Sequence, residues 1–257
     1  MRIAMLFILT ILFSCNTSVD NKLDEKVVSE PLENKIVSLE ENYLKAYREI
    51  GLVDIKEIDD RILIDLRYAS ANNFMHTKLY DTISSIYLQK DVAIKLSKVQ
   101  SLLDSLRPHY RLLIFDGVRP LQVQEQMWNA MDTIPVAERS KFVSNPKNGS
   151  VHNFGAAVDL TIVNAKGKQL DMGAGYDDFR DIAFPSKESY FIKTGELTKE
   201  QLKNRKLLRK VMSSQGFKNI PSEWWHFNAF RRDEVIYKYP QLISESGTSV
   251  ILESSTK

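Results

Sequence analysis

The spacing of apolar residues separates helical segments from strands along most of this chain. Apolar residues recur every three or four positions in "SLEENYLKAYREIGL", "KDVAIKLSKVQSLLDSL", "LQVQEQMWNAM" and "LTKEQLKNRKLLRKVMSSQGF", the last of which reaches a glycine at its end. This spacing predicts amphipathic helices, and the glycine marks a helix C-terminus. Runs of aliphatic or aromatic residues predict strands in "RILIDLRY", "YRLLIFDGVRP", "AAVDLTIV" and "EWWHFNAF".

The order of these elements indicates the fold class. Strands occur at uneven intervals with helices between them, which predicts an α+β domain with a small antiparallel sheet and flanking helices. A doubly wound parallel sheet is disfavoured because strands and helices do not alternate regularly. Nucleotide chemistry loses its main support because no glycine-rich phosphate loop precedes a helix. The chain has 257 residues, enough for one full-sized core, and we expect a single domain over residues 36–245.

Both ends of the chain differ in composition from this domain. Residues 1–15 place one arginine before an apolar run too short to span a bilayer, which predicts a signal peptide. Cys15, the only cysteine, follows "LFS" and resembles the acylated cysteine of a bacterial lipobox, the alternative being a lone buried thiol. Residues 16–35 predict a flexible tether, and residues 246–257 a frayed tail. We therefore expect an exported protein, lipid-anchored on the periplasmic or outer face of a bacterial membrane.

Charge limits the range of partners. The formal net charge is +2, and no basic cluster is interleaved with aromatic residues as a nucleic-acid groove would require. We expect no nucleic-acid partner and find no sign of an obligate protein partner. A single cysteine also excludes an intramolecular disulfide.

The stretch "SVHNFGAAVDL" contains two candidate metal ligands, His152 and Asp159. A catalytic zinc commonly takes three protein ligands from His, Asp or Glu and leaves a position for water. Asp159 shares a strand face with the small Ala157, which leaves room for a metal, and Gly155 allows a sharp turn between the ligands. By themselves, two such residues at this spacing are more often unrelated.

A third ligand has to come from His76, His109 or His226. His226 lies in the apolar stretch "SEWWHF", where an imidazole is either a core histidine bonded to a carbonyl or a ligand. Glu223 favours the ligand interpretation, because a carboxylate beside a zinc-bound water is the general base that amide hydrolysis requires. Positions three apart on a strand face opposite ways, so Glu223 must lie in the turn entering the strand.

Three ordered motifs identify a family resemblance. The pattern S-x-H-x-x-G-x-A-x-D is complete between residues 150 and 159, E-W-W-H is present verbatim, and D-G-x-R-P occurs as "DGVRP". With weaker matches in "DLRYASANNF", "MGAGYDDF" and "NRKLLRKVMSSQGF", the chain resembles the VanX-like D-alanyl-D-alanine dipeptidases. These zinc enzymes are related to the D,D-carboxypeptidases and the hedgehog domain. The chain has Val118 where tyrosine is usual, which removes an expected pocket hydroxyl.

The resemblance implies a role for each matching residue. It implies one Zn²⁺ per chain, with His152, Asp159 and His226 as ligands. Glu223 becomes the general base, and Arg119 faces the negative charge that develops on the substrate oxygen.

The resemblance also implies a set of substrate contacts. Asp177 and Tyr68 are expected to contact the free ammonium group, and Ser150 and Asp116 to belong to the substrate pocket. Asp178 is the substitute for Asp177 if the register of the motif slips by one residue.

The implied function is zinc-dependent hydrolysis of free D-alanyl-D-alanine, in cell-wall peptide turnover or glycopeptide tolerance. One alternative is a D,D-carboxypeptidase that trims peptidoglycan stem peptides. The E-W-W-H motif favours the dipeptidase, since carboxypeptidases generally carry proline in place of the first tryptophan. Another alternative is a catalytically silent, zinc-containing cell-wall-binding module, against which the presence of both Glu223 and Arg119 argues.

Overall fold

The structure, a computed structural model, describes residues 32–250 and the side chains from residue 41 onward. The predicted signal peptide with Cys15, and all but the end of the predicted tether, lie outside the described residues. The helices are α1 (Leu32–Glu49), α2 (Ile55–Ile58), α3 (Lys90–Leu106), α4 (Leu121–Ala130), α5 (Val136–Arg139), α6 (Glu188–Thr194), α7 (Lys199–Ser213) and α8 (Arg232–Lys238). The strands are β1 (Leu52–Asp54), β2 (Leu63–Ile64), β3 (Tyr87–Gln89), β4 (Arg111–Asp116), β5 (Ala157–Val163), β6 (Lys218–Asn219), β7 (His226–Asn228), β8 (Gln241–Leu242) and β9 (Ser249–Val250).

The central sheet has five strands in the order β2-β4-β5-β7-β6. Its pairs are antiparallel except that β2 runs parallel to β4. The α+β prediction is confirmed, but the sheet is mixed rather than wholly antiparallel. The long connection from β2 to β4 contains α3, and a crossover of this kind permits parallel pairing. Two short antiparallel pairs, β1 with β3 and β8 with β9, complete the sheets.

The four long predicted helices are confirmed as α1, α3, α4 and α7, while two predicted strands are shorter than expected. "RILIDLRY" forms only the two residues of β2 before a 3₁₀ turn at Arg67–Ala69. "EWWHFNAF" forms only β7, because residues 221–225 bend before the chain enters the sheet. That bend holds Glu223, as the sequence predicted.

The sheet is the centre of the hydrophobic core. Every residue of β5 is buried, and the apolar face of α3 packs on the sheet through Val92, Leu96, Val99 and Leu103. A second apolar cluster, rich in tyrosine, lies beside it and includes Tyr47, Tyr68, Tyr80, Tyr87 and Met127. None of the helices between residues 32 and 250 is long and apolar enough to cross a bilayer.

The ends of the domain differ from the predicted boundaries. Helix α1 already begins at Leu32, ahead of residue 36. The predicted tail also starts too early, because Leu242 pairs with Ser249 in the β8–β9 hairpin. Glu245, in the turn of this hairpin, accepts hydrogen bonds from the amides of residues 81, 82 and 83 at 3.0, 2.7 and 2.9 Å. The hairpin is therefore fixed to the domain up to residue 250.

Gly155, in the turn before β5, packs closely against the β1–β3 strand pair. Its φ is +63°, and an added Cβ would lie 2.4 Å from Leu52 Cδ2 and 3.2 Å from the Gln89 amide nitrogen. The Gln89 amide donates a hydrogen bond to the Gly155 carbonyl at 2.9 Å. Only glycine accommodates both the left-handed backbone and this close approach.

We expect Gly155→Ala to destabilise the fold more than Gly167→Ala does. Both glycines have positive φ, but Gly167 has open space where the Cβ would be added. Each substitution should cost about 1–2 kcal/mol for the left-handed backbone. Gly155→Ala should cost a further ~1–3 kcal/mol because Leu52 must move. Urea unfolding of both variants measures this difference, and equal losses would contradict the packing argument.

Candidate active site

The sheet register places the first two metal-ligand candidates side by side. Asp159 on β5 is paired with His226 on β7. Side chains of directly opposed residues project from the same face of a sheet, so the carboxylate and the imidazole meet. His226 Nδ1 lies 2.9 Å from Asp159 Oδ1.

The third candidate enters from the 3₁₀ turn Val151–Phe154, directly before β5. Ser150 caps this turn, and its hydroxyl oxygen accepts a hydrogen bond from the His152 amide at 3.3 Å. The turn directs His152 Nε2 to 3.1 Å from His226 Nδ1 and 3.3 Å from Asp159 Oδ1. His76 and His109 are both exposed and belong to no such group within the described residues.

The three converging atoms fit a zinc ion. In tetrahedral coordination with bonds of about 2.0–2.1 Å, neighbouring ligand atoms lie roughly 3.3 Å apart, close to the separations here. The outer ring nitrogens are engaged, His152 Nδ1 with the Gly117 carbonyl at 2.7 Å and His226 Nε2 with Asn228 Oδ1 at 2.9 Å. Outer nitrogens that donate to these oxygens leave lone pairs on the inner nitrogens. Two imidazole lone pairs and a carboxylate oxygen then face one point, which is suited to bind a cation.

Asp159 also has partners for its second oxygen. The Tyr176 hydroxyl donates to Oδ2 at 3.2 Å, and Arg119 Nη2 lies 3.5 Å from the same atom. Burial alone would raise the pKa of Asp159. When His152 and His226 are protonated, their charge and hydrogen bonds outweigh burial and hold this pKa well below its usual range. The carboxylate is thus ionised and available to a metal at neutral pH.

Arg119 projects into the pocket with its guanidinium fixed from behind. Its Nε and Nη2 donate to Asp116 Oδ2 at 2.9 and 2.6 Å, while Tyr80 donates to Asp116 Oδ1 at 2.6 Å. The guanidinium carbon stands 4.9 Å from the centre of the Tyr68 ring. The prediction that Asp116 contacts substrate is wrong, because Asp116 is wholly buried behind Arg119 and does not line the pocket. It orients Arg119 instead.

Glu223 lies at the pocket wall in the bend before β7. The Asn219 amide group donates to the carbonyls of Glu223 and His226, each at 2.8 Å, and so fixes the bend. Glu223 Oε2 is 3.9 Å from His226 Nδ1. Burial raises the pKa of Glu223 to about 7, with His226 opposing and Asp159 reinforcing the shift. A carboxylate with this pKa, beside the convergent ligand atoms, is suited to exchange protons near neutral pH.

Asp177 enters the same pocket from the loop after β5. It has a left-handed backbone with φ of +58°, and the Tyr68 hydroxyl donates to its Oδ1 at 3.3 Å. Burial and the nearby charge of Asp159 raise the pKa of Asp177 to about 7. Asp178 lies outside the pocket and binds Arg180 at 2.6 Å, so the alternative register is wrong.

The pocket is small, about 160 Å³, and mixes polar and apolar walls. Every metal-ligand, catalytic and substrate residue predicted from sequence lines it, except Asp116. Sequence reasoning missed the apolar wall formed by Phe142, Val143, Phe179 and Ile220. Val118 does not line the pocket, because its side chain is buried in the tyrosine-rich cluster. Valine at position 118 therefore does not remove a hydroxyl group from this pocket.

We expect Tyr176→Phe to weaken zinc binding without abolishing it. The substitution removes the hydroxyl that donates to Asp159 but keeps the ring that packs on Trp225. Loss of such a partner of a metal ligand typically costs 10- to 100-fold in affinity. Competition with a chromophoric chelator measures the dissociation constant, with His152→Ala as the control that should lose stoichiometric zinc. An unchanged zinc affinity in Tyr176→Phe would show that the hydroxyl does not support the ligand.

Comparison with known proteins places this geometry in a family. The family model described as D-ala-D-ala dipeptidase matches residues 48–246. A D-alanyl-D-alanine dipeptidase of Escherichia coli is 34% identical over 176 residues, covering 68% of this chain and 83% of the relative. Dipeptidases of the same name from Enterococcus faecalis and Synechocystis are 28% and 26% identical, covering 70% and 58% of this chain and 91% and 71% of the relatives. With its cluster of two histidines and an aspartate, this chain belongs to the zinc peptidase family of the D-alanyl-D-alanine dipeptidases.

Proposed function

We propose that this protein hydrolyses free D-alanyl-D-alanine to two molecules of D-alanine, in cell-wall peptide turnover or glycopeptide tolerance. The observation that carries the proposal is the position of Asp177. Its carboxylate lines the same small pocket as the ligand cluster and Glu223. An ammonium group bound there would share this small pocket with the reacting carbonyl, as the amino group of a dipeptide does.

His152, Asp159 and His226 would hold the zinc ion, which when bound would supply a Lewis acid able to activate water and polarise the peptide carbonyl. Glu223 accepts the proton of the attacking water and returns it to the departing amine as the peptide bond breaks. A pKa of about 7 suits both transfers, because the group is neither a strong base nor a strong acid at neutral pH.

Arg119 stabilises the negative charge that develops on the carbonyl oxygen. Its guanidinium is buried and held by the two hydrogen bonds to Asp116, so it requires little reorganisation during the reaction. In a confined site with little water, such a fixed cation acts more strongly than it would at the surface.

Asp177 and Tyr68 bind the ammonium group of the substrate. The pKa of Asp177 is raised in the free pocket, and an ammonium ion stabilises the ionised carboxylate. A peptide that continues beyond this nitrogen presents an amide, which leaves the buried carboxylate without a counter-charge. The same argument disfavours the D,D-carboxypeptidase alternative. The pocket volume of about 160 Å³ is below the range for drug-sized ligands, in keeping with a small substrate.

A catalytically silent binding module is also disfavoured by the geometry. Retention of the metal alone would not require Glu223 and Arg119 to face the ligand cluster. Both nevertheless line the pocket, where Arg119 is buried and Glu223 is half-buried.

Substrate length is the direct test of the proposal. We expect free D-Ala-D-Ala to be cleaved and N-acetyl-D-Ala-D-Ala to be nearly inert, with Asp177→Asn losing activity on the free dipeptide. Asp178→Asn is the matched control, because Asp178 binds Arg180 outside the pocket. Release of D-alanine measures each rate. Equal rates on the free and acetylated substrates would replace the dipeptidase assignment with the carboxypeptidase one.

Glu223→Gln should separate metal binding from turnover. The amide is nearly isosteric but cannot accept the proton of water, so kcat should fall by roughly 10²- to 10⁴-fold while zinc stoichiometry is kept. Metal analysis and kcat on the free dipeptide are the two measurements. A near-normal kcat in the zinc-loaded variant would exclude Glu223 as the base.

We further propose that the protein is exported and lipid-anchored through Cys15, on the periplasmic or outer face of a bacterial membrane. The support is the apolar segment of residues 1–15 ending in the only cysteine. Full-length protein should incorporate labelled palmitate and fractionate with membranes, whereas Cys15→Ser should not incorporate the label. A wild-type band without label would overturn the proposal.

A further inference from the structure

The loop that carries Asp177 has little backbone structure of its own. Apart from a single turn at residues 176 and 177, residues 172–180 have no regular backbone hydrogen bonding in the described part of the chain. The neighbouring β5 strand ends at Val163, and the next helical turn is Asp181–Ala183. The position of this loop, residues 171–182 (the Asp177 loop), therefore depends on side chains from elsewhere.

Helix α7 supplies two of those side chains, and Phe74 and Phe142 also pack on Phe179 of the loop. Arg205 donates from Nε to the Met172 carbonyl at 2.6 Å and from Nη2 to the Ile182 carbonyl at 2.9 Å. A single guanidinium thus joins the two ends of the loop. One residue earlier, the Asn204 side-chain amide donates to the carbonyl of Asp171 at 2.9 Å.

Arg205 is buried, so its guanidinium needs hydrogen-bond partners within the protein. The residue is 1% exposed and occupies the buried stripe of α7 together with Leu208 and Met212. Removing a guanidinium from water is costly unless its hydrogen bonds are replaced. The two loop carbonyls replace two of these hydrogen bonds, while Nη1 has no hydrogen-bond partner among the described residues and lies 3.6 Å from Glu188 Oε1.

The inner side of the same loop enters the active site. Tyr176 donates to Asp159, and Asp177 accepts from Tyr68. Asp177 holds its carboxylate there with a left-handed backbone, which a non-glycine residue rarely adopts without constraint. Fixing both ends of the loop supplies such a constraint.

We propose that Arg205 is a positioning residue for substrate specificity. By joining Met172 to Ile182 it fixes the Asp177 loop, and so places the carboxylate that recognises the free ammonium group. The inference rests on the proposed dipeptidase function. According to this proposal, helix α7, which lies outside the pocket, positions the residue that recognises the amino terminus of the substrate.

Arg205→Lys tests this role in the full-length, zinc-loaded protein. Lysine keeps the charge but lacks the planar fork needed to reach both carbonyls. Misplacement of a binding group by about 1 Å can cost up to 10²-fold, so we expect kcat/KM for free D-Ala-D-Ala to fall roughly 10- to 100-fold. The loss should lie mainly in KM, because ammonium binding contributes to substrate and transition state alike. The ratio of kcat/KM for free D-Ala-D-Ala to kcat/KM for N-acetyl-D-Ala-D-Ala should also decrease.

Arg209→Lys is the matched control. Arg209 lies one turn further along α7 and binds the same Glu188, at 2.7 and 2.8 Å, without contacting the loop. It should leave both KM and the preference unchanged. If Arg205→Lys does not fold, Asn204→Ala replaces it, with a smaller effect expected in the same direction. A folded, zinc-loaded Arg205→Lys with the wild-type preference would overturn the proposal.

A double-mutant cycle shows whether Arg205 acts through Asp177. If it does, Asp177→Asn should cost little further activity in the Arg205→Lys background, whereas independent roles would give additive losses and contradict the proposal. The wild-type rates on the free and acetylated dipeptides, measured in parallel, separate a failure of the Arg205 proposal from a failure of the proposed dipeptidase function. Equal wild-type rates on free and acetylated dipeptide would reject amino-terminal recognition itself, whatever Arg205 does.

Discussion

A buried carboxylate between two imidazoles is the interaction on which this structure depends. Asp159 is 3% exposed and lies on a strand whose residues are all buried. An ionised group at such a depth is destabilising unless charge and hydrogen bonds compensate for lost hydration. Two histidines, a tyrosine hydroxyl and an arginine surround it, and a zinc ion held by the histidines and the carboxylate would complete the compensation. The same arrangement yields the catalytic centre, so the requirement for charge balance and the requirement for chemistry coincide.

The surrounding elements each hold one part of this centre. The β5–β7 register brings His226 to Asp159, and the capped turn at Ser150 brings His152. The β4 end orients Arg119 through Asp116, and the bend before β7 presents Glu223. The parts therefore come from separate regions of the chain, and the sheet holds them around one pocket, with Glu223 Oε2 3.9 Å from His226 Nδ1. This explains how short strands suffice to build a precise site.

Sequence reasoning succeeded where chemistry and local spacing coincide. The grouping of His152, Asp159 and His226, the placement of Glu223 in a bend and the four long helices could be predicted, because each depends on residue type and on neighbours along the chain. Asp116 was misassigned because its pairing with Arg119 turns it away from the pocket, and residue type alone does not reveal that direction. The contact of Tyr176 with Asp159 depends on the path of a loop that lacks regular structure. The tyrosine in "MGAGYDDF" is the one sequence feature that indicates this contact.

Other differences have a topological origin. The parallel pairing of β2 with β4 joins segments separated by α3, and the two-residue strands β8 and β9 are too short for a clear pattern. Arg205 could be predicted to be functionally constrained, because it is a charged residue on the apolar stripe of a predicted helix. A charge at a core position indicates a buried partner, and here the partners are the backbone carbonyls of the Asp177 loop.

Thermal unfolding with and without zinc tests the central claim, that His152, Asp159 and His226 converge in order to hold a metal ion. Binding to the folded state alone stabilises it by about 4 kcal/mol when free zinc is a thousandfold above the dissociation constant. For a domain of this size that corresponds to a rise in Tm of roughly 10 °C over the chelator-treated protein. Identical Tm values in zinc and in chelator would contradict the account.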